Sequence, residues 1–272
     1  MKLRRLLLTL CCLFALAFAV SAAMAISTYA AAQREDAAFE ELSRQVNSGF
    51  FLPLPVVEQV SVPDTAGLPS ASPAPVAEAG ETVVDALAAA CQALQGMQPD
   101  FAAWLKAEAA GIDYPVMASE DYIYRAFDGT ESKSGTPLLG EGGGLDDDLF
   151  IIYAHNMKNG TMFGELDRYR QQEFRDENPG FTLTTAEGTR SYEIFAAVET
   201  RVLYENEQGL RWYGMAGSLD AAGRAELIDW LLASSLYDCG IRPGDGEQLV
   251  LLCTCSYHEA NGRFLVAARR VA

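Results

Sequence analysis

The chain has 272 residues, of which 50% are hydrophobic and 21% charged, enough for one good-sized core and unlike the composition of a disordered chain. A formal net charge of −17 opposes binding to a phosphate backbone, so nucleic acid is excluded as a partner. With only 2 histidines and no Cys-x-x-Cys pair, no metal site is implied and no cofactor is expected.

The first element is apolar. Lys2, Arg4 and Arg5 precede an uncharged run from Leu6 to Ile26, 21 residues long. At about 1.5 Å per helical residue such a run reaches roughly 30 Å, the thickness of a bilayer's hydrocarbon core. Ala23-Met24-Ala25 would also suit a signal-peptide cleavage site, but the length of the run favours an uncleaved anchor. The basic flank places the N-terminus in the cytoplasm and the remainder of the chain outside, as a single-pass protein of the cell membrane. Residues 1–30 thus read as a basic tip and transmembrane signal anchor, and 31–81 as an extracytoplasmic stalk. Within the stalk, Gln33 to Val46 forms a short charged helix, and PSASPAPVAEAG has the composition of an extended spacer.

Residues 82–272 read as the folded domain. The pattern ETVVDALAAACQALQGM carries Val84, Leu87, Cys91 and Leu94 at helical spacing and predicts an amphipathic helix with Cys91 packed on its apolar face. Strands follow. LFIIY, Leu149 to Tyr153, is a fully apolar run that suits a buried strand ending near His155, and FTLTTAEGTRSYEIFAAV is a hairpin turning at Glu187-Gly188. SLDAAGRAELIDWLLASSLYDCG predicts a helix capped by Ser218 or Asp220 and terminated at Gly240. Two strands close the chain, Gln248 to Cys255 and Arg263 to Val271, joined by the polar loop SYHEANG. The expected fold is mainly β, a closed barrel with helices at its start and one before the penultimate strand. Trp104 and Trp230 are expected as core anchors on helical faces, Asp113 and Asp128 as structural acids, and Asp146 to Asp148 as a solvated turn, because consecutive acids lack the spacing of a calcium loop.

The chemistry concentrates at the end. Of 6 cysteines, Cys11 and Cys12 fall in the apolar run, and Cys91, Cys239, Cys253 and Cys255 are too scattered for a disulfide scaffold. In LVLLCTC, Leu249, Leu251, Cys253 and Cys255 share one strand face. Cys255 ends the strand where the barrel opens to solvent, whereas Cys253 reads as packing. A free thiol is only about 3% ionised at pH 7, so a nucleophilic Cys255 needs a neighbouring cation or base. Arg263 opens the returning strand. Either histidine could serve: His258 lies three residues on in a polar loop, and His155 ends a distant buried strand, as catalytic partners usually do.

These segments resemble sortases of class B. YAHNMKNGTMFGEL is similar to their histidine motif, and LLCTCSYHEANGRFLVAARR to their T-L-x-T-C strand, short loop and arginine strand. QPDFAAWLKAEAAGIDYPVM, FDGTESKSGTPLL and LYDCGIRPGDGEQLVLLCTC extend the resemblance in order from about Met97 to Val271. Leu251 and Cys253 stand where Thr and Ser are usual, and Ala154 where glycine commonly precedes the histidine. The resemblance implies a sortase-type β-barrel of about eight strands and a membrane-anchored cysteine transpeptidase of Gram-positive bacteria, without cofactor. It makes Cys255 the nucleophile, His155 the general acid/base and Arg263 the group that steadies substrate and oxyanion. Its implied partners are exported proteins ending in a Pro-x-Thr type sorting signal and a peptidoglycan-precursor amine. Thr254, Tyr257 and Asn156 are the candidate substrate contacts. An exported cysteine protease and a non-catalytic stalked module are the competing functions.

Overall fold

The structure, a computed structural model, describes residues 2–48 and 79–272. The spacer sequence up to Glu78 lies outside the described residues. Helix α1 runs through Lys2–Ser48 as one piece of 47 residues, including the stretch expected as a separate charged helix. The reason is local: neither glycine nor proline occurs between Lys2 and Ser48, and Gly49 follows directly. Its apolar part is long and apolar enough to cross a membrane, with a mean hydropathy of 1.8. Its far end packs on the barrel through the buried side chains of Phe39 and Val46. There Ser43 and Asn47 donate to the Asp113 carboxylate at 2.6 and 2.8 Å, Ser132 donates to Glu35 at 3.1 Å and Asn159 to Asp36 at 3.2 Å. Burial, helped by Glu35 and Glu40, raises the Asp36 carboxyl above the ordinary carboxylate range.

Eight strands close the barrel: β1 (Phe101–Ala107), β2 (Ile112–Met117), β3 (Leu138–Leu139), β4 (Leu149–Tyr153), β5 (Gly180–Thr185), β6 (Gly188–Arg201), β7 (Leu249–Cys255) and β8 (Gly262–Arg270). Their order around the barrel is β1-β2-β3-β4-β7-β8-β6-β5. The expected hairpin is β5–β6, where Phe181 faces Tyr192 with rings stacked 5.4 Å apart. β4 and β7 are parallel neighbours, which requires a long crossover; β5, β6 and helix α4 (Ala221–Ser234) lie within it.

Strand alternation then divides the side chains. Phe150, Ile152, Val250, Leu252, Phe264 and Val266 fill the barrel interior. Leu149, Ile151, Leu249, Leu251, Cys253 and Leu265 face outward and pack under Trp212 and the α4 residues Leu227, Ile228 and Leu231. Both faces of β4 and β7 are therefore buried, which is why these strands read as unbroken apolar runs. Helix α2 (Ala79–Met97) packs Cys91 and Leu94 against Phe101 and Trp104, and burial pushes the Cys91 thiol up to about 12. Trp104, expected on a helix, is a core residue of β1 whose indole donates to Asp113 at 2.6 Å.

Helix α4 begins as expected, with Asp220 accepting from the Gly223 N–H at 2.7 Å, but ends at Ser234, short of Gly240. Beyond it the chain joins the edge of β6 instead. Leu236 donates to the Ala197 carbonyl at 2.8 Å and the Ser235 hydroxyl accepts from the Ala197 N–H at 3.1 Å. The strand edge offers partners that a further helical turn would leave unpaired. Helix α3 (Gln172–Glu177) lies between β4 and β5.

Candidate active site

The site is built where β4, β7 and β8 end together. Antiparallel pairing sets Cys253 opposite Leu265, Thr254 opposite Phe264 and Cys255 opposite Arg263. Directly opposed residues carry their side chains on one face, and the Arg263 guanidinium there donates to the Gly262 carbonyl at 2.9 Å. The loop that reverses the chain is tightly closed. The Ser256 N–H donates to the Gly262 carbonyl at 3.0 Å, the Gly262 N–H to Glu259 at 3.2 Å, and Asn261 takes a left-handed φ of 59°. A Cβ at position 262 would lie 2.4 Å from the Ser256 carbonyl oxygen, so only glycine closes this loop beside the cysteine.

The third group arrives from β4. Its parallel register pairs Tyr153 with Cys253, and the Ala154 N–H donates to the Cys253 carbonyl at 3.2 Å. His155 follows Ala154 just past the end of β4. The Asn156 amide donates to the Cys255 carbonyl at 3.0 Å and ties the segment that carries His155 to the end of β7. The His155 ring is set by the segment before β3: Nε2 contacts the Ile123 carbonyl at 2.9 Å, and the Tyr124 ring lies 5.4 Å away, tilted by 41°. A carbonyl only accepts, so this contact keeps the proton on Nε2 and leaves Nδ1 to exchange one. His258 is engaged elsewhere, with Nδ1 on the Ser256 hydroxyl at 2.7 Å and Nε2 on Glu259 at 3.1 Å.

Among the expected substrate contacts the structure draws distinctions. Thr254 is only 2% exposed and its hydroxyl donates to the Ala154 carbonyl at 2.8 Å, so it belongs to the wall joining β4 to β7. The Asn156 amide lies on the Cys255 carbonyl and, at 3.3 Å, on Asp167. Tyr257 is 76% exposed beside the site. Cys253 is fully buried, and its thiol is held well above the ordinary range, first by burial and then by Cys255, with Arg263 opposing. Burial likewise raises Tyr153, again opposed by Arg263. The four described cysteines, Cys91, Cys239, Cys253 and Cys255, are free thiols. Among the described residues no cluster of His, Cys, Asp or Glu could hold a metal ion.

Residues that the sequence did not point to also shape the site. Ile123 contributes a main-chain carbonyl, which no side-chain pattern announces. Gly140 makes room for Tyr153, since a Cβ there would lie 2.3 Å from its ring. Arg170, in a short 3-10 helix (Gly164–Arg170), reaches the Ser256 hydroxyl at 3.1 Å although 86 residues separate them.

Known proteins give the context for this geometry. No family model matches the chain. Sortase B of Listeria monocytogenes is 24% identical over 185 residues, covering 65% of this chain and 72% of that protein. Sortase B of Staphylococcus aureus is 22% identical over 191 residues, with 65% and 73% covered. A mutant form of Clostridium perfringens sortase B superposes with a TM-score of 0.61 at 22% identity, covering 71% of this chain and 92% of that one. The Staphylococcus aureus sortase B–substrate complex gives a TM-score of 0.59 at 19% identity, covering 67% and 85%.

Proposed function

For a chain related in sequence to the class B sortases and sharing their fold, we propose the activity of a membrane-anchored cysteine transpeptidase. It cleaves a C-terminal sorting signal on another exported protein and joins the new carboxyl end to an amine of a cell-wall precursor. The observation that carries this reading is the pairing at the barrel end, where Cys255 is registered opposite Arg263 and the Asn156 amide, next to His155, donates to the Cys255 carbonyl at 3.0 Å.

The Cys255 thiolate attacks the carbonyl that follows a threonine in the signal. Arg263 and nearby main-chain amides stabilise the tetrahedral oxyanion; one such donor typically contributes about 3 kcal/mol. Protonated His155 gives its proton to the departing amine, leaving a thioacyl enzyme. The acceptor amine then attacks the thioester, His155 takes up its proton, and the thiolate returns. Tyr257 borders the substrate, whereas Thr254 and Asn156 serve by holding the strands that carry the reacting groups.

The signal is of Pro-x-Thr type, the N-terminus lies in the cytoplasm, and the chain divides into anchor (1–30), a stalk (31–81) whose first part to Ser48 continues α1 and packs on the barrel, and catalytic domain (82–272). Anchoring brings the enzyme to the surface at which both an exported substrate and a lipid-linked amine are found. A cysteine protease would share the first half-reaction and differ only in using water for the second. The test incubates the full-length protein in detergent with a Pro-x-Thr peptide and a glycine oligopeptide as acceptor, and follows products by mass spectrometry. An acceptor-joined peptide that rises with acceptor concentration is expected. Hydrolysis alone at every acceptor concentration would establish the protease instead.

A further inference from the structure

Phe264 follows Arg263 within β8, where successive residues point to opposite faces, and Asn156 and Ser256 follow His155 and Cys255 just past the ends of β4 and β7. Those three followers, Asn156, Ser256 and Phe264, converge on one ion pair. Asp167 accepts from the Asn156 amide at 3.3 Å and binds Arg170 at 3.2 Å and 3.1 Å through Nε and Nη2. Arg170 donates to the Ser256 hydroxyl at 3.1 Å and lays its guanidinium 4.3 Å from the centre of the Phe264 ring. Its remaining arm pairs with Glu199, the β6 residue opposite Phe264.

We propose that Arg170, locked by Asp167, is a positioning residue that sets the three reacting side chains in register from behind the sheet. The proposal rests on the reading of Cys255, His155 and Arg263 given above. One planar group reaches two strand ends, β7 and β8, and through Asp167 the end of β4. The forked geometry is what a guanidinium offers and an ammonium does not. Reacting groups must be aligned to within a fraction of an ångström, and a displacement of about 1 Å can lower a rate about 100-fold. Among the described residues Arg170 makes no hydrogen bond to Cys255 or His155, so its influence passes through the neighbouring residues whose side chains it grips.

The test compares the full-length enzyme with Arg170→Gln, Arg170→Lys, Asp167→Asn and Ser256→Ala in steady-state cleavage of the Pro-x-Thr peptide. Arg170→Gln is expected to lower kcat on the order of 100-fold with KM within about threefold, because the bound substrate meets a misaligned thiol. Arg170→Lys recovers only part of that loss. Adding Asp167→Asn to Arg170→Gln costs little more, since the two act as one unit. Melting temperature shifts by only a few degrees, as the pair is partly exposed. A kcat for Arg170→Gln within twofold of the parent, or a loss confined to KM, overturns the proposal. If Arg170→Gln does not fold, Ser256→Ala decides: a kcat reduced about threefold or more at unchanged melting temperature supports the role, and parental kcat removes it. Activity surviving in Cys255→Ala would mean that the site itself is misread, an outcome separate from failure of the positioning role alone.

Discussion

Cys253 and Cys255 stand on the same face of the same strand, yet they inhabit different regions. The stretch Leu249–Cys253 is sealed by Trp212 and α4, and nothing of Cys253 reaches solvent. Two residues on, the cover stops; Cys255 is partly exposed and has Arg263 opposite. Residue type and strand face are the same for both thiols. The difference lies in what packs above them: a sealed thiol is kept neutral by burial, and an uncovered one is open to groups arriving from solvent.

The contrast is most directly broken at the open end. Cys255→Ala is expected to lower peptide turnover by at least about 10³-fold, measured as acceptor-joined product, whereas the fold persists by circular dichroism. Next in size, His155→Ala should cost about 10²- to 10⁴-fold in kcat, while His258→Ala stays within about threefold, because its ring serves only the loop. Equal losses from both histidines would erase the distinction between wall and loop.

Substitutions at the sealed end should act on stability instead. Trp212→Ala removes the fully buried indole that covers the outer face and is expected to lower unfolding free energy by about 3–5 kcal/mol in denaturant titration. Turnover per folded molecule should change little. The smallest effect is that of Cys253→Ser, which buries a hydroxyl on an apolar face at a cost of about 1–3 kcal/mol with kcat within about threefold. A large kcat loss without destabilisation at position 253 would assign that thiol a chemical role.

The same division explains what could be read from the sequence. Leu149–Tyr153 and the β5–β6 hairpin were legible because their apolar patterns and turn glycine are local. Cys255 and Arg263 were legible as a pair because a short loop joins their strands, so register follows from the hairpin. The neighbourhood of β4 and β7 was not: their parallel pairing links Tyr153 to Cys253 across a long crossover, and no local signal records it. On local residues alone the choice between His155 and His258 stayed open for that reason, and the family resemblance made it. The place of Thr254 in the wall, with its hydroxyl on the Ala154 carbonyl, depends on the same parallel pairing and is equally silent in the sequence. The far end of α4 was misjudged because the edge of β6 captured Ser235 and Leu236, a competition between elements that helical periodicity cannot register. Arg170 left no trace, since its partners lie far along the chain and meet only after the barrel closes.

The unbroken α1 gives the barrel a fixed geometry relative to the apolar run. From the end of the apolar run at Ile26 to Phe39, where the helix packs on the barrel, 13 residues rise about 20 Å at about 1.5 Å each. A flexible tether of that length would let the barrel sample a volume above the lipid. A docked helix works as a mast: with its apolar run in a bilayer it would hold the Cys255 end of the barrel near one altitude over the membrane plane.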